Sequence, residues 1–114
     1  MTHQIEEVEN WPKGDSNTLT FTFKKDGEPQ SLQDREIEYQ LRRKGQIVLD
    51  MDEEDGIESE VVDEENGVFR IHFESGTTED IPYSYVDERV RITNEQETEQ
   101  TTWFGSVSFV EPDV

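Results

Sequence analysis

The sequence predicts an all-β fold, a β-sandwich or small barrel of about seven short strands. Apolar residues alternate with polar ones in short runs, turn residues separate the runs at roughly regular intervals, and no helical periodicity exceeds about one turn. A period of two places one side of each strand in a core and the other in water. The predicted strands are residues 18–24, 36–43, 46–51, 57–62, 68–74, 83–93 and 101–110.

The first strand has the clearest alternation, and two hairpins follow it. Leu19, Phe21 and Phe23 alternate with threonine and lysine, and Asp-Gly-Glu-Pro at residues 26–29 ends the strand because proline cannot donate to a sheet. The short connection at residues 44–45 makes the second and third strands antiparallel neighbours, and Asn-Gly at residues 66–67 predicts a hairpin of the fourth and fifth. The residues expected to face the core from the second and third strands are Ile37, Tyr39, Leu41, Ile47, Leu49 and Met51.

The last two strands carry most of the remaining apolar residues. In a regular strand Tyr83 and Tyr85 would point to one face, whereas the apolar residues from Val86 onward would point to the other. This change of face predicts a β-bulge near Tyr85 or Val86. In the final strand Trp103 and Phe104 are adjacent and therefore point to opposite faces, so one of them lies outside the core. The residues sharing the parity of Trp103 are Gly105, Val107 and Phe109.

The length of 114 residues favours a single domain. We expect residues 11–114 to form the β-sandwich domain and residues 1–10 to form an N-terminal arm that is frayed or packed at an edge. No apolar run approaches the ~20 residues of a membrane span, and the acidic N-terminus lacks the basic and apolar regions of a signal peptide. These features predict a protein that neither binds membranes nor carries a secretion signal.

The charge is strongly negative, with 29 Asp and Glu against 10 Lys and Arg and a formal net charge of -19. Nucleic-acid binding is disfavoured because it depends on Lys and Arg neutralising phosphates. Acidic residues are spread through the whole chain, which is typical of a protein working in concentrated salt, since the Debye length at ~1 M is only ~3 Å. The alternative is an acidic interaction face on an ordinary mesophilic protein.

Catalytic motifs are missing from the sequence. It has no cysteine, its two histidines form no ligand-spaced pair, and it contains neither a Gly-x-Ser-x-Gly motif nor a glycine-rich phosphate loop. A pair of carboxylates does not indicate a catalytic acid and base in this sequence, because carboxylates are abundant throughout it. We therefore expect a non-enzymatic protein without a cofactor.

The acidic run at residues 50–56 is the one candidate for a metal site. Calcium prefers oxygen ligands, but with Asp50 as the first ligand the glycine position of an EF-hand holds Asp55. A looser calcium or magnesium site formed by Asp50, Asp52 and Asp55 stays open beside the alternative of a solvated loop.

Aromatic and basic residues provide the candidate interface. Trp11, Trp103 and Phe104 exceed what a thin core needs, and tryptophan is enriched at interface hot spots. Arg42 and Arg43, with the lysine that follows, form the largest positive run, which suits neighbouring carboxylates or a protein partner better than phosphate. These five residues are the predicted contact set.

From Trp11 onward the chain resembles the immunoglobulin-like β-sandwich at the N-terminus of phage baseplate upper proteins of the BppU type and of related small structural proteins of tailed viruses. The resemblance depends on the order and spacing of its segments, since each segment alone contains turn residues that any β-sandwich could have. The matching segments are residues 14–15, 19–23, 26–29 leading to Leu32, 37–42, 45–50, 56–57, 66–69, Pro82 with Tyr83 and Tyr85, and 105–114.

The resemblance implies a non-enzymatic structural protein of a virus particle, synthesised in the host cytoplasm. Such a protein docks through its sandwich onto other virion proteins, the tail, baseplate or connector subunits, in multiple symmetric copies. The acidic composition suggests a halophilic host. The alternative function is a carbohydrate-binding or adhesion module, because β-sandwiches also bind sugars through exposed aromatic residues, and fold alone does not decide function.

Overall fold

A computed structural model describes residues 2–4, 8–25, 27–94 and 100–111 of the chain. Within these residues it contains eleven β-strands and no helix, so the all-β prediction is confirmed. The strands are β1 (Thr2–Gln4), β2 (Val8–Pro12), β3 (Asn17–Thr22), β4 (Lys24–Lys25), β5 (Glu28–Pro29), β6 (Arg35–Arg43), β7 (Gln46–Asp50), β8 (Ile57–Asp63), β9 (Val68–Phe73), β10 (Tyr85–Asn94) and β11 (Gln100–Val110).

The larger sheet has six strands in the order β1-β11-β10-β6-β7, with β2 also pairing with β11. Strand β10 lies at its centre and pairs antiparallel with both β11 and β6. Strands β1 and β2 run parallel to β11, so the described part of the predicted N-terminal arm is packed at the sheet edge. The spacing of Ile5 and Val8 would also suit one turn of helix, but Val8 begins strand β2, and Ile5 lies outside the described residues.

Both predicted hairpins are confirmed. Strands β6 and β7 are antiparallel around Lys44 and Gly45, whose φ angles of 51° and 80° give the two positive values that a type I′ turn requires. Strands β8 and β9 are antiparallel, and Gly67 at φ 72° lies in their connection. A Cβ on Gly67 would lie 2.8 Å from the Phe23 carbonyl oxygen, which only glycine avoids.

The smaller sheet has the order β3-β9-β8, and strands β4 and β5 form a separate short pair. Aromatic contacts connect the two larger sheets: the ring centroids of Tyr39 and Phe73 lie 5.6 Å apart, and those of Phe69 and Trp103 lie 6.4 Å apart. The two sheets therefore share one core. Its buried hydrophobic residues are Trp11, Phe23, Leu32, Tyr39, Leu41, Leu49, Ile57, Phe69, Ile71, Phe73, Ile81, Val86, Val90, Ile92, Trp103, Val107 and Phe109.

Two predictions about strand faces are wrong. Strand β10 starts at Tyr85 and keeps an unbroken register with β11 to Thr93, so it has no bulge near Tyr85 or Val86, and Tyr83 precedes the strand. Ile47 does not face the core, because the register between β6 and β7 shifts after Leu41 and places Ile47 opposite Arg42. Its side chain is 53% exposed.

Candidate functional site

The two tryptophans belong to the core, which corrects the expectation that they are spare. Trp11 and Trp103 are each only 3% exposed. The Trp11 indole N–H donates to the Asp15 carbonyl at 3.1 Å, and its ring meets Phe73 edge-on with centroids 4.7 Å apart. Large rings fill this core because neighbouring sheets stand about 10 Å apart. Neither side chain offers a surface to a partner in the folded chain.

Phe104 is the member of the adjacent pair that lies outside the core. Its side chain is 45% exposed on the outer face of the larger sheet, where it stands directly opposite Arg89 of β10. Arg89 in turn lies opposite Gln40 of β6. The predicted split between Trp103 and Phe104 is therefore confirmed, with Phe104 exposed.

Three arginines share this outer face with Phe104, and we call the surface formed by Arg42, Ile47, Arg89, Arg91 and Phe104 the arginine face. The strand register aligns its members. Arg42 lies between Asp87 of β10 and Ile47 of β7, and Arg91 lies opposite Glu38. Three of the ten cationic residues of a chain with net charge -19 thus share one sheet surface with two exposed apolar side chains.

The arginines differ in their partners. Arg91 forms an ion pair with Glu38 at 3.7 Å, and an Nη of Arg42 donates to the Gly45 carbonyl at 3.1 Å. Arg89 forms no hydrogen bond or ion pair with any residue that the structure describes. Burial lowers the pKa of Arg89, and repulsion from Arg91 and Arg42 adds to the effect. Attraction by the Glu38 and Asp50 carboxylates offsets part of this shift, although neither forms an ion pair with Arg89.

A small cavity of about 180 Å³ opens beside Arg89. Arg43, although adjacent to Arg42, lies elsewhere: its guanidinium stacks over the Tyr83 ring at 5.5 Å and borders a separate hollow of about 200 Å³. The basic run of the sequence is therefore divided between two surfaces. The residues lining the cavity beside Arg89 are Arg42, Gly45, Asp87, Arg89, Phe104 and Gly105.

The metal candidates are not brought together. Among the described residues, no group of three or more His, Asp or Glu side chains is arranged to hold a metal ion, and Asp50, Asp52 and Asp55 form no such group. The Asp50 carboxylate instead accepts from the Asp52 backbone N–H at 3.0 Å and from the Gln40 amide at 3.1 Å. The first bond closes the turn after β7, and the second joins β7 to β6.

Sequence reasoning missed a carboxyl group in the core. Glu88 lies on the inward side of β10, between Val86 and Val90, and is fully buried. Burial raises its pKa from 4.5 to about 8, and the neighbouring Tyr39 hydroxyl offsets only part of this rise. Neither carboxyl oxygen of Glu88 forms a hydrogen bond, nor does the Tyr39 hydroxyl, within the described part of the chain. Glu88 alternates in step with the core residues Val86 and Val90, and this position in the sequence was the signal that could have revealed its burial.

Burial and the nearby Glu88 also raise the pKa of Tyr39 well above its ordinary value. The buried pair is therefore neutral near pH 7, with the proton of Glu88 retained. His72, in contrast, is partly exposed on the smaller sheet, where its ring nitrogens contact the Thr18 hydroxyl and the Glu60 carboxylate, each at 3.0 Å.

The chain matches no protein-family model and no curated protein sequence. Of the residues that the structure describes, none belong to a helix of the length and apolar character that crossing a bilayer requires. The functional interpretation therefore depends on the arginine face and on the resemblance described above.

Proposed function

We propose that this chain is a non-enzymatic structural protein of a tailed virus particle, part of the tail, baseplate or neck. It docks through the arginine face onto other virion proteins, in several copies arranged symmetrically. The proposal places the protein in the virion after synthesis in the host cytoplasm. The resemblance to the BppU-type domain supplies the viral context.

Strand pairing supports the immunoglobulin-like form of the sandwich. In immunoglobulin-like domains a sheet containing strands B, E and D packs on a sheet containing C, F and G. The order β3-β9-β8 corresponds to the first sheet, and β11-β10-β6 corresponds to the second. In this assignment β7 extends the second sheet at the side of strand C, and β2 extends it at the side of strand G.

The single observation that carries the docking function is the composition of the arginine face. Phe104 and Ile47 are about half exposed there, and each lies opposite one arginine, Arg89 and Arg42 respectively, in an otherwise acidic chain. Aromatic and arginine side chains are the groups most enriched at protein interfaces. Guanidinium groups and apolar side chains bind a surface, and none of them is a nucleophile or a general base near pH 7.

The acidic surface supports a role in concentrated salt. Repulsion among 29 carboxylates opposes both folding and the approach of neighbouring copies, and salt removes most of that repulsion. A particle assembled in a halophilic host provides this condition. In such salt the exposed side chains of Phe104 and Ile47 and direct guanidinium hydrogen bonds, rather than long-range charge attraction, would hold a partner on the arginine face.

Quantitative mass spectrometry of purified virus particles from the source culture tests the function. We expect the chain in the particles, at a copy number related to the major tail subunit by the rotational symmetry of a ring. Absence from clean particles contradicts the proposal. A glycan array probed at high salt then examines the carbohydrate-binding alternative, which predicts a saturable sugar ligand.

A further inference from the structure

We propose that the arginine face binds an extended acidic segment of a partner protein, with one carboxylate held between Arg42 and Arg89 and a neighbouring apolar side chain resting on Phe104. The inference deepens the proposed docking function, on which it rests for its biological setting, by naming the chemistry of the partner. Its physical basis lies in the cavity, the unpaired donors and the local charges.

The cavity has the size and lining for a carboxylate and a few further atoms. Its volume of about 180 Å³ lies between two guanidinium-bearing strands, with the exposed Phe104 ring at its border. A planar guanidinium holds a carboxylate through two parallel hydrogen bonds, which gives both energy and orientation. The adjoining ring provides apolar contact to the residue next to the acidic one.

The donors around the cavity are incompletely used. Arg42 has a buried Nε without a hydrogen-bond partner, because only its Nη group reaches the Gly45 carbonyl. Arg89 has no direct partner among the described residues. The Arg42 Nε is already shielded from water in the chain itself, so the donors that a carboxylate can reach are the remaining guanidinium N–H groups of Arg42 and Arg89. Covering those groups with a purely apolar partner would cost free energy, whereas a carboxylate would satisfy them.

Three carboxylates also lie near the arginines, and two of them already have partners. Glu38 is paired with Arg91, and Asp50 is occupied by the Gln40 amide and a backbone N–H. Both carboxylates still attract the Arg89 guanidinium, and Asp87 lines the same cavity as Arg42 and Arg89. An extra negative charge would relieve the mutual repulsion of the arginines, while the net charge of -19 disfavours a long polyanion such as nucleic acid.

The test uses the full chain labelled with ¹⁵N, in a salt concentration at which its β-sheet spectrum is complete. The probe is a capped peptide that alternates leucine with glutamate and aspartate, and its matched control replaces these acids by glutamine and asparagine. Titration followed by NMR should give saturable shifts of the Arg42 and Arg89 Nε–H signals and of the Phe104 amide with the acidic peptide.

Variants localise the binding. Arg89→Gln should lower the affinity for the acidic peptide by about tenfold, because it removes one charge-assisted bidentate contact. Phe104→Ser should weaken the binding of both peptides, because both rest an apolar side chain on Phe104. Arg70→Gln is the matched control, since Arg70 is exposed on β9 of the smaller sheet and its loss should leave the affinity unchanged.

Three results overturn the inference: no saturable binding at ~1 mM peptide, equal binding of the amide control, or an unchanged affinity of Arg89→Gln. Sedimentation that shows pairing of two copies through this face, abolished by Phe104→Ser, also overturns it by identifying a different occupant. Detection in virus particles without peptide binding would remove this inference and leave the proposed function. Peptide binding by a chain that is absent from particles would keep this inference and contradict the proposed function.

Discussion

Replacing Glu88 with glutamine should change how the stability of the fold depends on pH. The folded chain holds the Glu88 proton up to about pH 8, whereas the ordinary pKa of the group is 4.5. Between these values the folded state binds a proton that the unfolded state has released. The free energy of unfolding therefore falls as pH rises through this window and levels off on either side of it.

The size of the effect follows from the width of the window. Each pH unit corresponds to about 1.4 kcal/mol, so the full window from 4.5 to about 8 amounts to roughly 5 kcal/mol as an upper figure. That is a large fraction of the 5–15 kcal/mol that typically separates folded from unfolded domains. Glutamine has nearly the shape of the protonated side chain and does not ionise, so Glu88→Gln should lack this contribution.

Urea unfolding followed by tryptophan fluorescence, at constant high salt and from about pH 5 to about pH 9, measures the difference. Wild type and Glu88→Gln should have similar stabilities at the acidic end, and the variant should be several kcal/mol more stable at the alkaline end. Exposed carboxylates titrate in both proteins and cancel in the comparison. Glu58→Gln, exposed on β8, is the control and should keep the wild-type slope. A Glu88→Gln variant with the wild-type slope would refute the reasoning.

Three further predictions address the core, the charge and one turn. Trp103→Ala should cost about 3–5 kcal/mol of stability in urea unfolding, and Phe104→Ala less than about 1 kcal/mol, because only the first opens a cavity; equal costs would place both rings in one environment. Circular dichroism should show a destabilised chain in ~0.05 M salt and a complete β-sheet in ~2 M KCl, and equal melting temperatures would contradict the halophilic interpretation. Gly67→Ala should destabilise more than Gly27→Ala, since both have positive φ but only Gly67 meets backbone oxygens, and thermal melts of the two variants compare them.

Local patterns predicted much of the fold. The alternation around Tyr39 and Leu41 placed both residues in the core, and the turn dipeptides located both hairpins, because strand faces and two-residue turns depend on neighbours in sequence. The parallel pairing of β1 and β2 with β11 had no local signal, since it joins residues about a hundred positions apart. Ile47 was misplaced because a register shift with β6 reverses the face it occupies.

The candidate site was only partly predictable. The adjacency of Trp103 and Phe104 required one exposed ring, but only packing against Phe23 decided which ring it was. Arg42 was anticipated from the basic run, whereas Arg89 emerged only when β10 paired between β6 and β11. The residues of such a surface cluster come from different strands, and the cross-strand register that brings them together cannot be predicted from a single sequence.

The parallel edge of the larger sheet has a mechanical consequence. Strand β2 enters beside β11 and runs in the same direction, from Val8 opposite Val107 to Pro12 opposite Val110. Tension that pulls the start of β2 away from the end of β11 therefore loads their hydrogen bonds in shear, so that several bonds share the force and must break together. Peeling an antiparallel hairpin such as β6–β7 from its open end would instead break its bonds in succession. A subunit held in an assembly through these two ends would resist extension through the edge formed by β2 and β11.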